Sequence, residues 1–291
     1  MKIKNDELEV SFLDIPPHTR DLGVRFVLGG WIDDFTASDG YSFHAREFPR
    51  DRVVGYGYPD EFITPVMMGD DPGRSTTALK IGVGVIHLER PGNYRFCEEP
   101  GVVKVFPWEV KQEPERIRFM QEVQKKNLGY RLEKEVRLLE GEVGFIISYS
   151  LENQCSDRPI QTLWYYHPFV APGGMGPDCF VGLPGTLRPA YDFIQPLKTD
   201  DAGRRFLPDD FSQLSTQLLE FDPADMGLVN HFEVGNRTHD RRLVVEGDFP
   251  LAFLRIWYES RVYSPEPFFR ILLSPGETAR WRLFNRIAEN R

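Results

Sequence analysis

The 291-residue sequence is poor in cysteine and has no long apolar run. Cys97, Cys155 and Cys179 are odd in number and form no C-x-x-C pair, which argues against a disulfide framework or a zinc knuckle and fits a reducing compartment. No stretch approaches the roughly 18 consecutive apolar residues of a membrane span. The opening "MKIKNDELEVSFLDIPP" lacks the apolar centre of a secretory leader. Basic residues are in deficit: 35 Lys and Arg against 44 Asp and Glu give a net charge of -9, the wrong sign for a protein that tracks nucleic-acid phosphates. A cytoplasmic protein without nucleic-acid or membrane partners is expected. The sequon at Asn236 has meaning only in a secreted eukaryotic protein. Helical patterns are scarce as well; only "PDDFSQLSTQLL" (208–219) carries the three-to-four apolar spacing that predicts a short helix.

What is abundant points to strands. The chain holds 22 Phe, 25 Gly and 23 Pro, a mix that suits pleated surfaces joined by tight turns. "YRLEKEVRLL" places Tyr130, Leu132, Lys134, Val136 and Leu138 on one side, and "GEVGFIISYSLEN" follows the turn at Glu140-Gly141 as its hairpin partner. "LKIGVGVIHLE" (79–89) and "PLAFLRIWYES" (250–260) are apolar runs of strand length, and "PFFRILLSPGETARWRLFNRI" breaks at Pro275-Gly276 as a further hairpin. Residues 171–210 form the longest irregular zone. With no repeat and no linker, the expectation is one all-β domain over 1–291, built as a sandwich of two large sheets.

Candidate chemistry lies in histidines and carboxylates. His18, His44, His87, His167, His231 and His239 show no HxH, HExxH or facial-triad spacing, so no metal site is expected. "IGVGV" sits inside a strand pattern and reads as close packing, not as a phosphate loop. "TLWYYHPFV" (162–170) puts His167 at the end of an apolar strand, either as a core histidine or as an acid at the rim of a sheet. Glu266 stands between Pro265 and Pro267 in "WYESRVYSPEPFF". There a rigid backbone can aim it, and neighbouring rings favour a raised pKa suited to a general base. Glu259 reads more simply as a turn residue.

The segment "YRLEKEVRLLEGEVGFIISYSLENQCSDRPIQTLWYYHPFV" resembles the central region of the galactose mutarotase-like (aldose 1-epimerase) superfamily through Leu151, Asn153, Pro159, Ile160, His167, Pro168 and Phe169. "GVRFVLGGWIDDF", "GYGYPDEF", "LKIGVGVIHLERPGNYRF" and "PEPFFRILLSPGETARWRLF" extend the likeness to an uncharacterised bacterial branch over most of the chain. The resemblance implies a β-supersandwich of large, mostly antiparallel sheets. It also implies cofactor-independent interconversion of sugar anomers on a small-molecule carbohydrate. Within it His167 is the acid at the ring oxygen and Glu266 the base, with Glu259 in reserve. Tyr56 stands where many relatives carry another histidine, and His44 is the alternative group for that role.

Arg25 is a candidate ligand for sugar hydroxyls or a carboxylate. Trp164, Tyr165 and Trp257 offer rings on which a pyranose stacks, although alternation sends Trp164 and Tyr165 to opposite faces. Arg46, Arg50 and Arg52 near His44 would favour an anionic sugar if they reached the cleft. A non-catalytic carbohydrate-binding protein and a lyase acting on a uronic acid are the rival readings, since one fold hosts many functions.

Overall fold

The computed structural model describes residues 1–14, 25–44, 55–69, 71–95, 101–183, 197–207, the backbone of 217–221, and 230–289. Two antiparallel sheets form its layers. The larger has ten strands, in the spatial order Lys198–Thr199, Arg204–Phe206, Cys179–Gly182, His231–Asn236, Arg241–Gly247, Thr278–Glu289, Gly144–Asn153, Leu128–Leu138, Arg116–Lys125 and Glu109–Gln112. The smaller has five: Gln217–Phe221, Phe253–Tyr258, Tyr263–Leu273, Ile160–Tyr166 and Asp60–Phe62. A three-stranded sheet of Lys2–Lys4, Leu8–Phe12 and Ile32–Ala37 accompanies them. So does a four-stranded one of Val66–Met67, Thr77–Lys80, Gly84–His87 and Val102–Val105. The single helical element among the described residues is the 3₁₀ turn Pro72–Arg74.

Alternation explains how the layers meet. Along Leu128–Leu138, Tyr130, Leu132, Lys134, Val136 and Leu138 are buried and the intervening charged residues are not. The strand pairs with Gly144–Asn153 as the predicted hairpin. Between the layers the Tyr149 and Trp281 rings stack at 5.0 Å, and Trp164 from the five-stranded sheet packs edge-on against both, at 4.9 and 5.3 Å. Some polar groups in this interior are paired across strands and layers, while Tyr149 OH, Trp281 Nε1 and Asn285 Nδ2 have no hydrogen-bond partner among the described residues. The Tyr166 hydroxyl donates to Asn285 Oδ1 at 3.1 Å. Asp60 accepts from Trp164 Nε1 at 3.3 Å and forms an ion pair with the fully buried Lys134.

Several local expectations are corrected. The turn at Pro275-Gly276 joins no hairpin. Tyr263–Leu273 pairs only within the five-stranded sheet and Thr278–Glu289 only within the ten-stranded one, so Ser274–Glu277 arches between layers. Asn153 pins this arch: its Nδ2 donates to Leu273 O at 2.9 Å, and its own carbonyl accepts from Gly276 N at 2.8 Å. The asparagine of the resemblance motif therefore has a structural duty. The run at 79–89 is not one strand but two, Thr77–Lys80 and Gly84–His87, folded back at Gly82 with φ +78°. A Cβ on Gly84 would lie 2.0 Å from Lys104 O, which accounts for the second glycine. The zone 171–210 contains Cys179–Gly182, Lys198–Thr199 and Arg204–Phe206 as strands. Of the expected helix at 208–219, residues 208–216 lie outside the described residues and 217–219 belong to the strand Gln217–Phe221.

Trp164 is fully buried at the sheet–sheet contact, so Trp164→Ala should lower unfolding free energy by about 3–5 kcal/mol. Denaturant unfolding checks this, and a loss below about 1 kcal/mol would remove Trp164 from the core.

Candidate functional site

Strand alternation divides the five-stranded sheet into two chemistries. Trp164 and Tyr166 face the ten-stranded layer, whereas Tyr165 faces away from it. On that outer face a row crosses four strands in register: Glu61 opposite Tyr165, Tyr165 opposite Phe268, and Phe268 opposite Phe253. The Tyr165 and Phe268 rings stack at 4.6 Å and the Phe268 and Phe253 rings at 4.2 Å.

His167 lies two residues beyond Tyr165 on the same side. Its backbone N–H donates to Pro59 O, and that of Phe169 to Gly57 O, both at 2.9 Å. Pro168 falls between them, where no such bond is asked of it. Gly57 has φ +69°, and a Cβ there would meet Ile32 O at 2.4 Å, so the tight "GYGYP" path needs glycine. Glu266 stands directly opposite Arg255 in the neighbouring strand. Its flanking prolines are tolerated because the register with Ile160–Tyr166 stops at Phe268. The ends of the two strands therefore meet at a gap in the sheet, filled by His167 Nε2 and Glu266 Oε1 at 3.0 Å. His167 is 1% exposed and Glu266 2%.

Aromatic rings enclose the imidazole. Phe169 stacks on it at 4.1 Å, and Phe26, Trp257 and Tyr165 stand at 5.6, 5.6 and 5.8 Å. Burial, with Arg25 and Arg255 nearby, holds the His167 pKa well below its ordinary value, so the ring is neutral at pH 7. His167 Nδ1 has no hydrogen-bond partner among the described residues.

Beside the pair lies a buried polar hub. Glu61 accepts from Lys80 Nζ at 2.8 Å on one oxygen. On the other it accepts from Tyr165 OH at 2.6 Å and Arg25 Nε at 3.2 Å. Arg25 also donates to the Tyr165 oxygen at 2.8 Å and lies 4.7 Å over the Phe26 ring. Burial alone would raise the Glu61 pKa, but Lys80 and Arg25 outweigh it and hold the carboxylate below its usual range. Burial raises the Tyr165 phenol well above its ordinary value. Among the described residues no group of three or more His, Cys, Asp or Glu is placed to hold a metal ion.

The candidate residues are therefore sorted by the fold. His167, Glu266, Arg25 and Trp257 come together. Tyr56 is buried in the adjoining cluster with Phe26, Trp31 and Phe169, and the half-buried His44 stands edge-on to Tyr56 at 6.4 Å. Trp164 does not reach this place: alternation turns it into the core, and Tyr165 occupies the outer face instead. Glu259 lies in the turn after Phe253–Tyr258, where its N–H donates to Val262 O at 2.9 Å and burial raises its carboxyl pKa. The carboxylate in contact with His167 is Glu266. His18, Arg46, Arg50 and Arg52 lie outside the described residues. Sequence reasoning missed Glu61, Lys80 and Arg255. A lysine inside the apolar "ALKIGVGV" was the available signal for a buried ion pair.

The architecture matches known structures along its length. A galactose mutarotase-like protein from Lactobacillus casei ATCC 334 aligns over 99% of this chain and 99% of its own, at 14% identity and TM-score 0.62. The chain has the galactose mutarotase-like fold. Galactose 1-epimerase from Lactobacillus acidophilus NCFM aligns over 100% of this chain and 94% of its own, at 13% identity and TM-score 0.53. No protein-family model and no curated protein matches the sequence. In this chain the galactose mutarotase-like fold carries a buried His–Glu pair on the outer face of its five-stranded sheet.

The depressed His167 pKa sets a pH dependence of stability. Below the ordinary histidine pKa the unfolded chain binds a proton that the folded chain refuses, so stability falls as pH drops from about 6.5 towards the folded pKa, by at most about 1.4 kcal/mol per pH unit. His167→Gln should flatten this part of the profile in denaturant titrations. An unchanged slope in the variant would mean that His167 is not held neutral.

Proposed function

We propose that this protein is a cofactor-independent aldose 1-epimerase-like enzyme that interconverts the anomers of a small carbohydrate with His167 and Glu266. The observation that supports it is the 3.0 Å contact between His167 Nε2 and Glu266 Oε1, buried among rings on a sheet face. Opening a cyclic sugar requires removal of the C1 hydroxyl proton and delivery of a proton to the ring oxygen. Glu266 accepts the first proton while His167 Nε2–H supplies the second. The O1 electron pair becomes the new C1=O bond, and the C1–O5 pair leaves with the ring oxygen. Once Nε2 has given its proton to the ring oxygen, the vacated lone pair takes the proton from Glu266, so no imidazolate persists and the pair returns to its starting state. Rotation about C1–C2 presents the other carbonyl face, and the reverse sequence closes the opposite anomer.

The remaining groups have roles consistent with this chemistry. Trp257, half-buried beside His167, offers a ring for the C–H face of a pyranose. Arg25 is the donor to sugar oxygens, and Tyr56 with His44 forms the adjoining wall. The buried thiols Cys155 and Cys179 suit a reducing cytoplasmic setting. The lyase reading would need a phenolate base, and burial keeps Tyr165 protonated with its hydroxyl committed to Glu61. A purely binding protein has no need to bury an imidazole against a carboxylate.

Saturation transfer between the α and β NMR signals of aldoses tests this function. His167→Ala and Glu266→Gln should each lower exchange by roughly 10²–10⁴-fold while the folded near-ultraviolet spectrum persists. Wild-type exchange that survives in both variants would refute the assignment.

A further inference from the structure

The outer face of the five-stranded sheet holds a polar atom that the proton transfers leave unused. The register that sets Tyr165 opposite Phe268 resumes unchanged where Val170 and Tyr263 exchange two backbone hydrogen bonds of 3.0 Å. His167 is therefore level with Glu266, and Phe169 with Ser264. On the other side Arg255 stands opposite Glu266 and Trp257 opposite Ser264. Alternation puts Ser264 on the face of Glu266 and Phe268, in a row Phe169–Ser264–Trp257 beside the reacting pair. Ser264 is the smallest side chain of that row, and the rings of its two neighbours approach to 5.8 Å across it. It is 0% exposed, and its Oγ has no hydrogen-bond partner among the described residues. A buried hydroxyl left unpaired costs free energy that an alanine in the same place would not, so its presence points to a partner that arrives from outside. Of the four rings around His167, Phe26, Tyr165 and Phe169 are buried and Trp257 is half-buried. The way in passes Trp257.

We infer that Ser264 Oγ hydrogen-bonds the 2-hydroxyl of the bound sugar and so determines specificity at the carbon next to the reacting one. This rests on the proposed function and adds a substrate contact to it. With O1 at Glu266 and the ring oxygen at His167, C1 lies over that pair and C2 lies to one side of it. The side of Tyr165 is closed: the Tyr165, Phe268 and Phe253 rings stack at 4.6 and 4.2 Å, and the Tyr165 hydroxyl is committed to Glu61. The other side has the small serine next to Glu266. C2 and its hydroxyl therefore fall towards Ser264 once the sugar displaces Trp257, whose ring is then placed to lie on the C–H face of the pyranose. Each hydroxyl can donate or accept, so the contact satisfies Ser264 in either sense.

Anomer exchange by saturation transfer on the full chain tests the contact, with glucose, galactose and the 2-deoxy and 6-deoxy counterparts of each, all corrected for uncatalysed exchange. In wild type, kcat/KM should be at least about tenfold lower for the 2-deoxy sugars than for the parents and little changed for the 6-deoxy sugars. In Ser264→Ala this gap should close through a lower kcat/KM for the parent sugars. The unfolding midpoint of the variant without sugar should be no lower than that of wild type, since the free protein gives the hydroxyl no partner. Equal turnover of parent and 2-deoxy sugars by wild type, a loss that follows the 6-hydroxyl instead, a gap that persists in Ser264→Ala, an equal loss on every sugar in the variant, or a lowered midpoint would overturn the inference and leave the epimerase reading in place. Wild type that exchanges none of the sugars would refute that reading and the inference with it.

Discussion

The site depends on the register of one strand, Ile160–Tyr166, between Asp60–Phe62 and Tyr263–Leu273. A slip of one residue would exchange its two faces. Trp164 and Tyr166 would leave the core, and Tyr165 and His167 would enter it. The register is held from both sides. Inward, Trp164 fills the space against Tyr149 and Trp281, and Tyr166 reaches Asn285 across the layers. Outward, Tyr165 sits between Glu61 and Phe268. The same packing that stabilises the sandwich therefore delivers the imidazole to Glu266.

The second constraint is electrostatic. An imidazole ringed by Phe26, Phe169 and Trp257 loses most of its hydration, and the cations beside it discourage a further charge. Its proton economy is then shared with Glu266, the one polar side chain in contact with it among the described pairs. The Lys80–Glu61 pair performs a different task on the same face. It fixes Arg25 and Tyr165. A buried ion pair contributes little net stability when weighed against apolar packing, so its value here lies in orientation.

Much of this was legible in the sequence, because period-two alternation and turn residues report directly on pleated sheets. The hairpin at 140–141 and the proline-flanked setting of Glu266 were readable from local pattern, whereas for His167 the same pattern left a core histidine and a group at a sheet rim both open. The arch at Pro275-Gly276 was not, since a turn between two strands looks the same whether they pair or part. Trp164 was misassigned to binding for a related reason: alternation says that adjacent residues differ in face, but not which face is the core. The glycines of "IGVGV" announced close packing without announcing a reversal. Glu61, Lys80 and Arg255 come from three separate strands, and only the tertiary register brings them to one place.

The central claim is that His167 is a neutral imidazole hydrogen-bonded through Nε2 to the Glu266 carboxylate. The most direct measurement is the ¹⁵N and ¹H spectrum of the His167 ring in labelled protein across pH, assigned with His167→Gln. The account predicts a neutral ring at pH 7, protonated at Nε2 and shifted by that hydrogen bond, with the shift lost in Glu266→Gln. An imidazolium at pH 7, or a ring spectrum indifferent to Glu266, would contradict it.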